Sequence, residues 1–167
     1  VLRKGLARLI DSKEEFMVCG EASSATDAME VIREQKPHLA VVDIGLPGAS
    51  GIDLTKSIRA EFPEVPVLIL SMHDDPLYAT RALRAGATGY IVKQDAIDNI
   101  ATALQETLDG RRYLSPGMAQ QLRTDGIGDQ PRSSHDFVDQ LTDRELEIFH
   151  LIGKGNDVRE IAEALKV

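Results

Sequence analysis

The chain has 167 residues, 43% of them hydrophobic, a formal charge of −8 and one cysteine. That suffices for one core of ordinary domain size plus a smaller appendage. It excludes coating of nucleic acid through bulk charge, an internal disulfide and, since no run nears the roughly 18 apolar residues of a spanning helix, a membrane segment.

The start carries no long apolar leader, so a cytoplasmic place is expected, and Cys19 within FMVCG is expected to be buried as a small hydrophobe. Charge is uneven along the chain: residues 1–124 hold 14 Lys and Arg against 17 Asp and Glu, residues 125–167 hold 5 against 10. The tail is therefore no basic arm.

Residues 1–10 carry Leu2, Leu6, Leu9 and Ile10 at helical spacing, with no cap before them. Residues 16–21 read as a strand. Ser24 and Asp27 have capping-box spacing and open a helix that ends before Pro37. Residues 39–42 are apolar, β-branched and bounded by Pro37 and Gly45, a pattern for a strand buried on both faces and ending at Asp43. An exposed turn, Leu46-Pro47-Gly48, follows, and Ser50 with Asp53 repeats the capping pattern for a helix to about residue 61.

Residues 65–70 form another apolar strand, ending at Ser71. Asp75 and Pro76 open a helix to Ala85, with Gly86 placed to stop it. Residues 88–92 read as a strand ending at Lys93, and a helix from Asp95 or Ala96 runs to Leu108. Strand and helix alternate, so the fold expected is α/β, a parallel sheet with helices on both faces.

Three strands thus end in Asp43, Ser71 and Lys93, and in a parallel sheet those ends share one edge. A carboxylate, a hydroxyl and an ammonium converge there. Each also has a plainer reading: Asp43 as a helix cap, Lys93 as a solvated strand end, Ser71 as a loop cap and Tyr90 as a half-buried edge aromatic.

The segments VVDIGLPGASG, VLILSMHDD and AGATGYIVK resemble the receiver domain of bacterial two-component response regulators over about residues 1–110. The resemblance implies a flavodoxin-like doubly wound sheet and makes Asp43 the acceptor of a phosphoryl group from a sensor histidine kinase. It places Lys93 and Ser71 at the phosphate oxygens and Tyr90 as a switch residue that turns inward. Mg²⁺ would be held by Asp43 and the backbone carbonyl of Gly45. Phosphoryl transfer needs positioning and charge neutralisation, which suits this set, and the group carries about −1.5 to −2 charges able to bias a two-state loop. His73, two residues past Ser71, is at most a modifier of dephosphorylation, and His38 is structural. No enzymatic activity is expected beyond phosphoryl acceptance and self-dephosphorylation.

One departure stands out. Receivers bring an acidic pair for Mg²⁺ from a first strand, and here Val1 already lies in the first helix. That strand would be central, between residues 16–21 and the Asp43 strand, so the 167 residues are expected to be a fragment.

Residues 111–140 are expected to be a short helix from Pro116 to Leu122 and a flexible linker over 124–136, rich in Gly, Asp, Ser and Pro. A second module spans 141–167. Thr142 and Glu145 form a capping box, Leu141 and Leu146 have staple spacing, and a second helix covers about 157–165. The run LTDRELEIFHLIGKGNDVREIAEALKV resembles the start of a LuxR-type helix-turn-helix domain, and the whole order resembles the NarL/FixJ subfamily. The helix that reads DNA in such domains is not in the sequence, so no DNA-contacting residue is nominated. A plain helical hairpin packed on the receiver or on a partner is the simpler alternative for this tail.

The function expected is a DNA-binding regulator controlled by phosphorylation of Asp43, homodimeric once phosphorylated, with α-helical faces in the first and last receiver helices as dimer candidates. The alternative is a phosphate-independent receiver-like module for dimerisation or partner binding. A small flavodoxin-like enzyme ranks last, since no Gly-rich phosphate cradle or catalytic His–carboxylate pair is present.

Overall fold

The computed structural model describes residues 2–46, 49–124 and 141–165. In chain order the elements are α1 (Leu2–Asp11), α2 (Ala25–Gln35), β1 (Ala40–Asp43), β2 (Gly45–Leu46), β3 (Ala49–Ser50), α3 (Gly51–Glu61), β4 (Val67–Ser71), α4 (Pro76–Arg84) and β5 (Gly89–Val92). Then come α5 (Lys93–Leu108), β6 (Tyr113–Leu114), α6 (Pro116–Thr124), α7 (Asp143–Gly153) and α8 (Val158–Leu165).

Four strands form one parallel sheet in the order β1-β4-β5-β6, with Asp43 opposite Leu70 and Ser71 opposite Val92. Side chains alternate across a strand, so one short apolar run feeds two cores. Val67 and Ile69 face the layer that contains α2, α3, α4 and α6, whereas Leu68 and Leu70 face α1 and α5. Tyr90 and Val92 join the first layer and Ile91 the second. This is the doubly wound arrangement expected from the alternating pattern.

The caps follow their sequence signals. Ser24 accepts from the Asp27 N–H at 3.1 Å, Asp75 accepts from Leu77 at 2.8 Å with Pro76 in the first turn, and Gly86 leaves α4 at φ +101°, a conformation costly for any side chain. Ser50 caps through Ile52, not Asp53. Around Thr142 and Glu145 both halves of the capping box are made, at 3.2 and 2.8 Å.

Several expectations change. Residues 16–21 join no ladder: Phe16 and Val18 pack on the α1/α5 layer and Met17 is 81% exposed. The period of two survives, but among the described residues there is no neighbouring strand to pair with. Cys19 is consequently exposed, not buried. In β1 only Val42 is buried, because this strand is an edge of the described sheet, whereas β4 between two neighbours is buried throughout.

The ladder of β5 stops at Val92, and Lys93 is the first residue of α5, with Asp95 in the first turn where a carboxylate suits the helix dipole. The turn after Asp43 is a small antiparallel pair, Gly45 opposite Ser50 and Leu46 opposite Ala49; its Pro47 and Gly48 lie outside the described residues. Past Gly110 the sheet gains β6, and Met118 and Leu122 of α6 pack into the same core, so the first unit continues beyond residue 110. The linker expected over 124–136 lies, from 125 onward, outside the described residues.

Candidate functional site

The parallel register brings the carboxyl ends of β1, β4 and β5 to one edge, and the geometry there starts at Asp43. Lys93 Nζ approaches Asp43 Oδ2 at 2.6 Å, with the lysine side chain 12% and the aspartate 29% exposed. The Gly45 N–H donates to the other oxygen, Oδ1, at 3.1 Å. Behind the strand end, α3 starts so close that a Cβ on Gly51 would sit 2.2 Å from the Asp43 carbonyl oxygen. The absence of a side chain there is what lets the helix and strand meet. A partly exposed carboxylate, fixed at both oxygens and neutralised by one ammonium, is thus presented at the sheet's edge.

Ser71, His73 and Tyr90 form a second connected set. Buried Ser71 accepts from the His73 N–H at 2.9 Å, and the Tyr90 hydroxyl, on a fully buried ring, donates to the His73 carbonyl at 2.8 Å. Burial pushes the Tyr90 phenol well up. Among the described residues no hydrogen bond joins Ser71 to Asp43, so the structure brings Asp43, Gly45 and Lys93 together and holds Ser71 and Tyr90 beside them through one loop.

The His73 ring does not meet the carboxylate network. It stacks on Tyr78 with centroids 4.2 Å apart and planes at 8°, and meets His150 of α7 edge-on at 5.1 Å. Burial first, then the neighbouring His150 and Lys154, pull its imidazole down to about 4 against the opposing pull of Asp75 and Asp74.

α7 itself closes over this side of the first unit. Arg81 Nη1 donates to the Leu141 carbonyl at 2.8 Å and to Asp143 Oδ1 at 2.9 Å, Lys56 stands 3.8 Å from Asp143 Oδ2, and Leu146 is buried in the core shared with β1 and α3. One residue on, Glu147 Oε1 lies 3.7 Å from where a Gly45 Cβ would be. The pairing of Arg81 with Asp143 and the approach of Glu147 have no local sequence signal, because the partners are far apart in the chain and belong to different helices.

Among the described residues no three His, Cys, Asp or Glu side chains converge to hold a metal ion. Mg²⁺ is commonly held by one or two carboxylates with water completing its oxygen set, and Asp43, with Glu147 near the same Gly45 position, supplies carboxylates of that kind. No described helix is long and apolar enough to cross a membrane.

The family model for the response regulator receiver domain matches residues 1–105. The chain belongs to the response regulators. This regulator is 29% identical to response regulator GacA of Pseudomonas aeruginosa over 165 residues, covering 99% of the chain and 76% of GacA. It is 33% identical to oxygen regulatory protein NreC of Staphylococcus carnosus, covering 100% of the chain and 79% of NreC. Among solved structures, the LuxR-family two-component response regulator from Aurantimonas sp. SI85-9A1 matches with a TM-score of 0.72 at 35% identity, over 75% of this chain and 90% of that one. Together these make it a two-component regulator of the NarL/FixJ subfamily, in which transcription is governed by phosphorylation.

Proposed function

We propose that Asp43 is the phosphoacceptor and that a sensor histidine kinase is the donor. The observation that carries this reading is the 2.6 Å pair between Asp43 and Lys93 at the carboxyl edge of a parallel sheet. An Asp43 oxygen attacks phosphorus in line, the phosphorus–nitrogen bond of the donor breaks, and its electron pair goes to the departing imidazole, which takes up a proton from solvent. Lys93 neutralises charge gathering on the phosphoryl oxygens, and Ser71 turns its hydroxyl from the His73 amide to one of them. Tyr90, already inward and tied to the His73 carbonyl, moves with that loop. His73 affects loss of phosphate only through this loop.

Response regulators of this type generally use Mg²⁺, and Asp43 with the Gly45 carbonyl would hold it here. Residues 141–167 form the start of a LuxR-type output domain, with dimerisation on phosphorylation through α1 and α5, where Ile97 is 70% exposed, and paired DNA half-sites as the target.

The test is intact mass after incubation with acetyl phosphate and Mg²⁺. One phosphoryl adduct, lost in Asp43→Ala, is expected; an adduct that persists in that variant refutes the assignment.

A further inference from the structure

Two carboxylates border one small space at the mouth of the site. Glu147 Oε1 and Asp43 Oδ1 lie 3.7 and 3.8 Å from the same point, the place of a Cβ on Gly45. Each has its cation on the opposite oxygen: Lys93 holds Asp43 Oδ2, and Arg144 Nη1 holds Glu147 Oε2 at 3.0 Å. The two remaining oxygens therefore share a space with no ion pair spanning it among the described residues. Glu147 is only 14% exposed, and burial, with Asp43 adding its charge, holds its carboxyl above the usual carboxylate range.

Glu147 has little freedom to retreat while α7 is docked. Leu146 beside it is buried in the receiver core, and the helix start is clamped by Arg81 through Leu141 and Asp143. A phosphoryl group on Asp43 would bring more negative charge and three more oxygens toward the same gap. Like charges brought into a space partly withdrawn from water repel, and the strain falls on the docked helix.

We propose that Glu147 is the residue through which the output helix reads the state of Asp43: docked, it guards the acceptor, and phosphorylation expels it and loosens α7. The proposal rests on Asp43 being the phosphoacceptor. Coupling between two states is reciprocal, so the factor by which phosphorylation weakens docking is the factor by which docking weakens phosphoryl binding.

Glu147→Gln keeps shape and a hydrogen-bonding oxygen for Arg144 but removes the charge. Beryllofluoride with Mg²⁺, a mimic that binds Asp43 reversibly, is the probe, and hydrogen exchange in residues 143–153 of the purified protein is the readout. In the wild type the probe should speed exchange there. In Glu147→Gln it should bind about fivefold more tightly or better, the low end of ordinary couplings, and speed exchange less. Without the probe Glu147→Gln should protect α7 at least as well as the wild type.

Equal affinity and equal opening in the two proteins overturn the proposal. So does opening of Glu147→Gln without the probe, which makes Glu147 a plain docking contact. If the wild type neither binds the probe nor gains mass with acetyl phosphate, the Asp43 reading fails and takes this one with it; a mass gain with no opening strikes the Glu147 role alone.

Discussion

Removing the Arg81 guanidinium tests whether α7 is held by an ion pair or merely rests on the receiver. Arg81 and Asp143 are 12% and 11% exposed, their contact is 2.9 Å, and the same Nη1 also serves the Leu141 carbonyl. An exposed pair of this kind would be worth under about 1 kcal/mol, but one largely withdrawn from water is costly to break from one side, about 3–5 kcal/mol. Lys56, 57% exposed and 3.8 Å from the other oxygen, recovers part of this for the stranded Asp143. Arg81→Ala should therefore cost about 3 kcal/mol, at the lower end of that range, roughly a hundredfold in the equilibrium it supports. Urea unfolding followed by circular dichroism, for Arg81→Ala, Asp143→Ala and both together, isolates the pair: a coupling of about 1–3 kcal/mol is expected. A coupling within about 0.5 kcal/mol of zero would mean that the two groups sit near each other without holding anything, and the clamp would have to be abandoned.

The pH dependence comes from His73. Its value in the fold, about 4, lies below the ordinary 6.5, so the folded protein binds fewer protons than the unfolded chain between those values. Its contribution to stability should be complete above about pH 6.5 and fade as pH falls toward 4, by less than full burial would give, since the ring is partly exposed. His73→Phe, which keeps an aromatic face for Tyr78, should flatten the curve of urea midpoint against pH in that window; parallel curves would refute the assignment. Gly51→Ala would press a methyl onto the Asp43 carbonyl oxygen at 2.2 Å and the Ile44 Cα at 2.8 Å, all backbone that cannot swing aside. A loss of about 1–3 kcal/mol in urea unfolding is expected, with a lower yield of phosphoryl adduct, whereas Gly117→Ala meets nothing within 4 Å and should lose no stability.

How much of this could be read beforehand depended on range. The strand ends at Asp43 and Ser71 were legible because an apolar run that stops at a polar residue is a local signal, and the Thr142 box because its two halves are three residues apart. Residues 16–21 misled for the same reason: their alternation is a property of the segment, while a ladder is a property of a neighbour. Strand β6 was missed because Tyr113 and Leu114 are too few to show a period, and only the open edge of β5 makes them a strand.

The site divides along the same line. Asp43 and Lys93 are fifty residues apart, yet each ends or follows a strand, so the parallel fold carries them to one place once the strands are found. Glu147 has no such carrier. Its position depends on Leu146 finding the receiver core and on Arg81 reaching Asp143, a packing of two units that no periodicity encodes. The chemistry proposed for Asp43 is thus written in the strand ends, and the control proposed for it in contacts between helices. A substitution at Arg81 or Glu147 should therefore alter regulation while leaving Asp43 and Lys93 in place.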